Sequence, residues 1–557
     1  MKREILGFDS AHLGFTTALV LGMLFDVKHP PMTVTTGNQS LATSWEDRAW
    51  FLGVLATFFF LRLYQIGAQA LTYFDEGGYV LEGALLAHKE PSAPQFYARP
   101  GFVLLLGLAR SVWNSPIQSA RAISILASLF SLLVLWKWLP RQFSKQVRNY
   151  SCLIFSLLPL QVYYSRIVFP DALASCVLLL AVIFFVEAVR IRVDGVSSNA
   201  WWLLGSAFFF GYFFTVGSYR AVPLLLVILP LVFFFLFRRP RWRGELPLLF
   251  VGLILAALPT VLFQKKYNFV SQMLGLAFGQ PNIRAGGEAA LRFDFLYFPY
   301  VFFYYFAPLA VLFVALFLAR CVPPHERRQI LDNTHLEPTL MLGAAVIFVP
   351  VVFHSIFSIK ALKVWATAFP WIALCGGIAI SQIRSRQLKN IYVLATFAVL
   401  FTQSFELATH LGWEGLQKYA DTLATLEGDI SDGAGGPTVL ASARGLDTKR
   451  TRVHSPWACA SNPVACNADY MVVKVEDFAS FSSEERKKYR PFLYLDPLRL
   501  PPSSSRLMSL ECLGSTPIKK VIQDGIGRPL IDRFVVLRKD SGYRPPIGQI
   551  TPTIKGR

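Results

Sequence analysis

The sequence has 557 residues, of which 54% are hydrophobic, 14% aromatic and 16% charged; its net charge is +19, its pI about 9.7 and its mean hydropathy +0.44. A soluble domain averages about 25% charged residues, so this depletion, together with the length of the apolar runs, excludes a soluble protein. Runs such as LLLVILPLVFFFLF (224–237) do not alternate as the strands of a β-barrel would. A chain in hydrocarbon must satisfy its own backbone hydrogen bonds, which leaves helices. The basic residues concentrate between the apolar runs, where membrane topology puts them, so the charge does not point to nucleic acid.

Taken in chain order, the stretch 11–25 is apolar but short and lacks a small-residue cleavage site, so it reads as neither a span nor a signal peptide. Spans are expected at 49–66, 118–136, 149–164, 170–189, 200–217, 221–237, 246–263, 299–319, 338–354, 364–382 and 390–407, about eleven helices in all. The apolar piece GFVLLLGLARSVW (101–113) is too short to span and is expected along the membrane surface. The connections KWLPRQFSKQVR, RIRVD, RRPRWR, ARCVPPHERR and QIRSRQLK alternate along the chain and are short and basic, which assigns them to the cytoplasm. The N-terminus is then cytoplasmic. The long connections 67–117 and 264–298 face outward, as does the polar tail, 408–557. That tail carries β-like runs, PTVLASA, DYMVVKV, PFLYLD and RFVVLRK, with turn signals such as DGAGGP between them, and 411–427 has the pattern of an amphipathic helix. The expected fold is an all-α polytopic membrane protein with a small C-terminal mixed α/β extracytoplasmic domain. Its parts are a cytoplasmic segment 1–48, a membrane domain 49–407 and the tail 408–557.

Three motifs carry chemistry. YFDEGGYVLEGALL (73–86) places the carboxylates Asp75 and Glu76 just beyond the first helix, where one can act as general base on an acceptor hydroxyl or hold a metal ion; the bland alternative is a helix N-cap. FYARPG (96–101) puts Arg99 beside a rigid turn, with a guanidinium suited to phosphate; the alternative is an interfacial anchor. YYSRIVFPDALAS (163–175) sets Arg166 and Asp171 on a short turn between helices, at a depth where ionisable groups are costly and are paired or functional. Arg220, Arg292, Lys360 and Lys363 fall on the same expected face. Singly each is a snorkelling residue; together they place positive charge on the outer side, against the topology rule, and favour an anionic, phosphate-bearing ligand.

The order of one helix, an Asp-Glu pair with Tyr79 four residues after Asp75, an Arg-Pro-Gly, an R…PD turn and a Lys-rich turn before FPWIALCGG resembles the glycosyltransferase C superfamily over residues 49–407. Within it the similarity is to the dolichyl-phosphate-mannose protein mannosyltransferases and the lipid A aminoarabinose transferases. The resemblance implies a polyprenyl-phosphate-linked sugar as donor and Asp75 as catalytic base. Basic residues such as Arg99, Lys360 and Lys363 would hold the lipid phosphate, and Tyr79, Arg166 and Arg220 would complete the substrate-binding set, with Glu76 and Asp171 as further carboxylates. The sequence departs from the family pattern in two places. Arg99-Pro100-Gly101 stands where relatives often have Lys-Pro-Pro, and Lys363 and Trp365 stand where they often have Arg-Tyr. The implied acceptor is a lipid, glycan or protein and the implied location the bacterial plasma membrane. No cofactor is required, and a divalent metal remains an option, with His354 as one candidate ligand. The competing class is a transporter or flippase for a lipid-linked or anionic solute. A transporter favours ionisable residues at the bilayer midplane and repeated halves, and no repeat is evident.

Cys152, Cys176, Cys321 and Cys375 lie in or beside apolar runs and read as small core residues. Cys459, Cys466 and Cys512 lie in the tail, with Cys459–Cys466 the favoured disulfide in an oxidising compartment and Cys512 the competing partner. Accessibility labelling of single cysteines in intact cells tests the orientation: residues 408–557 are expected to react from outside. A tail protected from an impermeant reagent overturns it.

Overall fold

A computed structural model of the chain describes residues 45–66, 76, 79–80, 83, 99–113, 116–190, 196–217, 221–238, 242–267, 295–310, 312, 337–356, 362–383 and 385–410. In the tail it describes 438–441, 452–454, 470–474, 478–479, 481, 483, 486, 489–495 and 534–539. The chain divides into two compact units, one of residues 1–69, 78–411 and 500–529, the other of 70–77, 412–499 and 530–557.

The described helices of the first unit are α1 (Trp45–Leu63), α2 (Pro100–Val112), α3 (Pro116–Trp138), α4 (Lys145–Leu157), α5 (Pro159–Arg166), α6 (Pro170–Arg190) and α7 (Val196–Gly217). They continue with α8 (Ala221–Phe237), α9 (Trp242–Tyr267), α10 (Tyr297–Tyr305), α11 (Glu337–Ile356), α12 (Phe369–Ser381) and α13 (Arg386–His410). Five stretches among the described residues are long and apolar enough to cross a membrane: 117–141, 170–189, 338–355, 362–381 and 386–409. Shorter apolar helices lie at 100–112, 201–217, 221–237 and 246–258. This is an integral membrane protein.

The run expected as one span at 149–164 is two helices. Pro159 lacks an N–H and disfavours a helical residue before it, and Leu158 adopts φ −57°, ψ 119°, which breaks the helix there. Two of the carbonyls freed by the break are taken up by neighbours. Arg62 Nη1 donates to Ser156 O at 2.9 Å, and Ser404 Oγ to Leu157 O at 2.5 Å. The expected span 364–382 likewise opens as a 3₁₀ turn, Leu362–Ala368, that passes into α12. The apolar piece at 101–113 is α2, whose buried face packs on α3, α7 and α9.

Small residues let helices approach closely, because lipid supplies no hydrophobic drive between apolar surfaces. A Cβ on Gly252 of α9 would stand 2.6 Å from Leu204 O of α7, and one on Gly377 of α12 would stand 2.7 Å from Ser151 N of α4. At the end of the bundle where α1 begins, a polar layer joins helices. Asp47 accepts from Arg148 Nη2 at 2.6 Å and from Lys145 Nζ at 3.0 Å, and Arg148 lies 4.1 Å over the Trp136 ring. Glu187 accepts from Trp138 Nε1 at 2.9 Å and Gln142 Nε2 at 3.4 Å. Burial opposes ionisation of Asp47, which precedes the apolar run, but the hydrogen bonds and charges of Arg148 and Lys145 outweigh it and hold the carboxyl below its ordinary range.

The described part of the second unit centres on a five-stranded sheet, in the order β2-β1-β3-β5-β4, built from β1 (Thr438–Ala441), β2 (Arg452–His454), β3 (Tyr470–Lys474), β4 (Tyr489–Leu495) and β5 (Phe534–Lys539). β1 runs parallel to β2 and β3, and β5 antiparallel to β3 and β4. Pro491 lies on the edge strand β4 beside a register shift, where its missing N–H costs no ladder bond. Tyr489, Val535 and Leu537 are buried. The tail cysteines, Cys321, the segment 11–25 and the amphipathic pattern 411–427 lie outside the described residues, whereas Cys152 and Cys176 are buried and free as core residues.

Gly377→Leu is expected to force α4 and α12 apart and to destabilise the protein by about 1–3 kcal/mol, the usual cost of overpacking. Gly53→Leu, where an added Cβ meets nothing within 4 Å, should stay within about 0.5 kcal/mol of wild type. Thermal unfolding in detergent compares the two; equal melting temperatures would refute the close approach.

Candidate functional site

The site is built at the bundle end where α1 finishes. The last carbonyls of a helix have no intrahelical partner, and here two arginines take them. Arg166, the last residue of α5, is fully buried and donates through Nη1 to Leu61 O at 2.9 Å, and through Nη2 to Tyr64 O at 2.8 Å and Ala408 O at 2.9 Å. Arg121 Nη1 donates to Ile66 O at 3.1 Å. Between these acceptors Gln65 turns the chain at φ 52°, the left-handed region. Phe169, three residues beyond Arg166, folds its carbonyl against Ser124 Oγ, which donates at 3.4 Å.

Phe169 is also the hinge of an aromatic cluster that gathers three of the residues expected from sequence. The Tyr79 ring meets Phe169 edge-on at 5.9 Å and Phe102 at 5.2 Å. The Arg99 guanidinium carbon lies 5.9 Å from the centre of the Tyr79 ring, and Lys363 Nζ lies 5.2 Å from the centre of the Phe169 ring. Two cations therefore flank one pair of rings. Arg99 is set there by the start of α2: Pro100 opens the helix, and Gly101 lets α2 approach α7, because a Cβ would run into Thr215 Oγ1. Tyr212 Oη of α7 donates to Gly101 O at 2.8 Å. Arg99 is 6% exposed and makes no hydrogen bond or ion pair among the described residues. A buried guanidinium with its donors unengaged is a site for an anion.

Asp171 is buried in the first turn of α6, where the helix dipole favours a negative charge. Glu76 is buried. Asp75, Arg220, Arg292 and Lys360 lie outside the described residues. His354 stands at the end of α11 with its ring edge-on to Phe353 at 5.3 Å. Among the described residues no three His, Cys, Asp or Glu side chains gather as a metal site. Sequence reasoning passed over Arg121, Phe102, Phe169 and Arg62. Arg62 is fully buried, stacked 3.8 Å over the Phe58 ring, and its position inside the run FFFLRLYQ is the signal that could have drawn notice.

Residues 93–263, which include Arg99, Arg121, Arg166 and Asp171, match the dolichyl-phosphate-mannose-protein mannosyltransferase family. ArnT from Cupriavidus metallidurans bound to undecaprenyl phosphate superposes with a TM-score of 0.61 at 13% identity, covering 91% of this chain and 100% of that one. The chain shares the fold of that ArnT. The apo state of the same ArnT gives a TM-score of 0.61 at 13% identity, over 90% of this chain and 100% of that one. The Archaeoglobus fulgidus oligosaccharyltransferase gives 0.48 at 14% identity, over 80% and 72%. A sequence comparison with curated proteins finds no match.

In this fold, Tyr79 lies between the Arg99 guanidinium and Phe169. Tyr79→Phe keeps the ring and its contacts with Phe102 and Phe169 and should be the milder change. Tyr79→Ala opens a cavity between Phe102 and Phe169 and should cost about 3–5 kcal/mol, as aromatic truncations in cores do. Thermal unfolding reads both; an unchanged melting temperature for the alanine variant would contradict the packing.

Proposed function

We propose that the protein is a membrane glycosyltransferase that takes a sugar from a polyprenyl-phosphate-linked donor and passes it to an acceptor on the outer side of the membrane. The observation that carries the reading is Arg99, a buried guanidinium with unengaged donors among the described residues, held two aromatic rings from Lys363. This pair suits the phosphate of a lipid carrier. Further support comes from the fold shared with an ArnT whose structure holds undecaprenyl phosphate, and from the family matched over 93–263.

The reaction on this reading is one in-line displacement. The acceptor oxygen attacks the anomeric carbon of the sugar, and the bond from that carbon to the lipid-phosphate oxygen breaks. Asp75 takes the proton of the acceptor hydroxyl. The polyprenyl phosphate departs as an anion against Arg99 and Lys363. The leaving group is already a weak base, so no general acid is needed. Glu76 and Asp171 are the remaining carboxylates of the set; Lys360 and Arg220 add positive charge toward the donor, and Tyr79 lies between the Arg99 guanidinium and Phe169. Arg166 serves through the helix ends it holds. The sugar is a hexose or pentose, and the acceptor a lipid, glycan or protein. The cell membrane of a bacterium, with the N-terminus in the cytoplasm, suits the basic-loop pattern.

The test uses purified protein in nanodiscs with polyprenyl-phosphate sugars. Asp75→Asn should slow turnover by about 10²–10⁴-fold, the usual worth of a general base, with little effect on donor binding. Arg99→Ala should chiefly weaken donor binding, and Arg99→Lys should keep part of it, because the charge remains while the guanidinium fork is lost. If Asp75→Asn keeps wild-type turnover while Asp171→Asn abolishes it, the base is misassigned. If neither matters and the protein carries lipid-linked sugar across vesicle membranes, it is a transporter. Mass spectrometry of surface glycans and lipids with and without the protein identifies the sugar and the acceptor.

A further inference from the structure

We propose that Arg166, assisted by Arg121, is a positioning residue that ties the end of α1 to the end of α13, and through the end of α1 fixes the acidic motif; the catalytic half of the proposal rests on the function proposed above. The geometry is specific. One guanidinium, fully buried, binds Leu61 O and Tyr64 O at the exit of α1 and Ala408 O at the exit of α13. Arg121 holds the next carbonyl along the first exit, Ile66 O. From Ile66 the chain runs nine residues to Asp75, and from Ala408 it runs into the tail. The chain passes from the first compact unit to the second at residues 69–70, 411–412 and 529–530, and the first two of these passages begin within five residues of a carbonyl that Arg166 or Arg121 binds.

The arrangement goes beyond ordinary helix capping in one respect. A capping side chain ordinarily serves one helix end. Arg166 belongs to neither α1 nor α13, and it joins two exits that are 242 residues and 102 residues away from it in sequence. Moving either exit strips a buried guanidinium of a bond. The two exits are therefore coupled: a shift at the start of the tail is opposed at the start of the loop that carries Asp75. Only arginine can do this. Its planar fork presents separate nitrogens to separate acceptors, whereas a lysine ammonium is a single point.

The experiment is hydrogen exchange by mass spectrometry on the full chain in nanodiscs, paired with steady-state kinetics on a polyprenyl-phosphate sugar. Arg166→Gln should raise exchange in peptides covering 64–69 and 408–411 together, with α6 and α7 unchanged. Arg121→Gln should raise it in the first only. In Arg166→Gln, kcat should fall by about 10²-fold, the scale of a misplaced catalytic group, while the donor KM stays within about twofold. Arg166→Lys should recover part of the protection and part of kcat. Should Arg166→Gln fail to fold, Arg121→Gln against Arg121→Lys decides, because the lysine keeps a donor for Ile66 O.

Three results overturn the proposal. The first is loosening of one exit without the other in Arg166→Gln. The second is loosening of both with kcat intact. The third is a raised donor KM with unchanged kcat, which makes Arg166 a donor contact. A wild-type protein inert toward every polyprenyl-phosphate sugar would instead sink the glycosyltransferase reading and the catalytic half with it, and the exchange data alone would then decide the coupling of the exits.

Discussion

Every carbonyl freed inside hydrocarbon has to find a donor, and the upper half of this bundle is arranged around that demand. An unsatisfied buried carbonyl costs about 1–3 kcal/mol in a protein interior and more against lipid. Water is not at hand to fill the gap. The break at Leu158–Pro159 releases Ser156 O and Leu157 O, which Arg62 and Ser404 collect. The exits of α1 and α13 release Leu61 O, Tyr64 O, Ile66 O and Ala408 O, which Arg166 and Arg121 collect. Buried arginines in a membrane protein are costly. Here their donors meet carbonyls that would otherwise be costly themselves, so each penalty offsets the other.

What remains is packing. Apolar side chains gain little by leaving lipid for one another, so the bundle relies on close approach at Gly252 and Gly377 and on aromatic stacking. Phe60, Phe401 and Phe405 form a near-parallel set between α1 and α13, with interplanar angles of 4–9°. The polar layer of Asp47, Arg148 and Lys145 pins the opposite end of α1 to α4. With α1 held at both ends, the loop that follows it starts from a defined place.

The membrane part was legible because its signal is length and hydropathy, which do not depend on context. The run at 221–237 is helical over those residues, and the run at 118–136 falls within Pro116–Trp138. Four β-like runs hold β1, β3, β4 and β5. What escaped was decided by single residues. Pro159 divides a run that hydropathy reads as one, and β2, Arg452–His454, is three residues long and has no apolar pattern of its own. Tyr79, Arg99 and Lys363 were chosen from three separate motifs, and the structure brings them to one pair of rings. The rings that join them, Phe102 and Phe169, were invisible as such, because a phenylalanine in an apolar sequence carries no mark of its partner. Arg166 was legible as a costly charge, but not as a clamp: its acceptors are backbone carbonyls, and any residue supplies one.

The spacing of Arg99 and Lys363 bears on where in the reaction their charge acts. Each cation is drawn toward its own ring, Arg99 to Tyr79 and Lys363 to Phe169. On the proposed reading the donor is a phosphodiester with one negative charge, spread over two oxygens. As the sugar–oxygen bond breaks, a second charge grows on the bridging oxygen. A pair of fixed cations stabilises the developing dianion more than the bound monoanion, and only that difference lowers the barrier. The same preference holds the departing lipid phosphate more tightly than the incoming donor. Release of the carrier, rather than transfer of the sugar, then becomes the slow step once chemistry is fast. Added salt, which screens partly exposed charge such as that of Lys363, should in that regime speed turnover at saturating donor while weakening the capture of donor at low concentration.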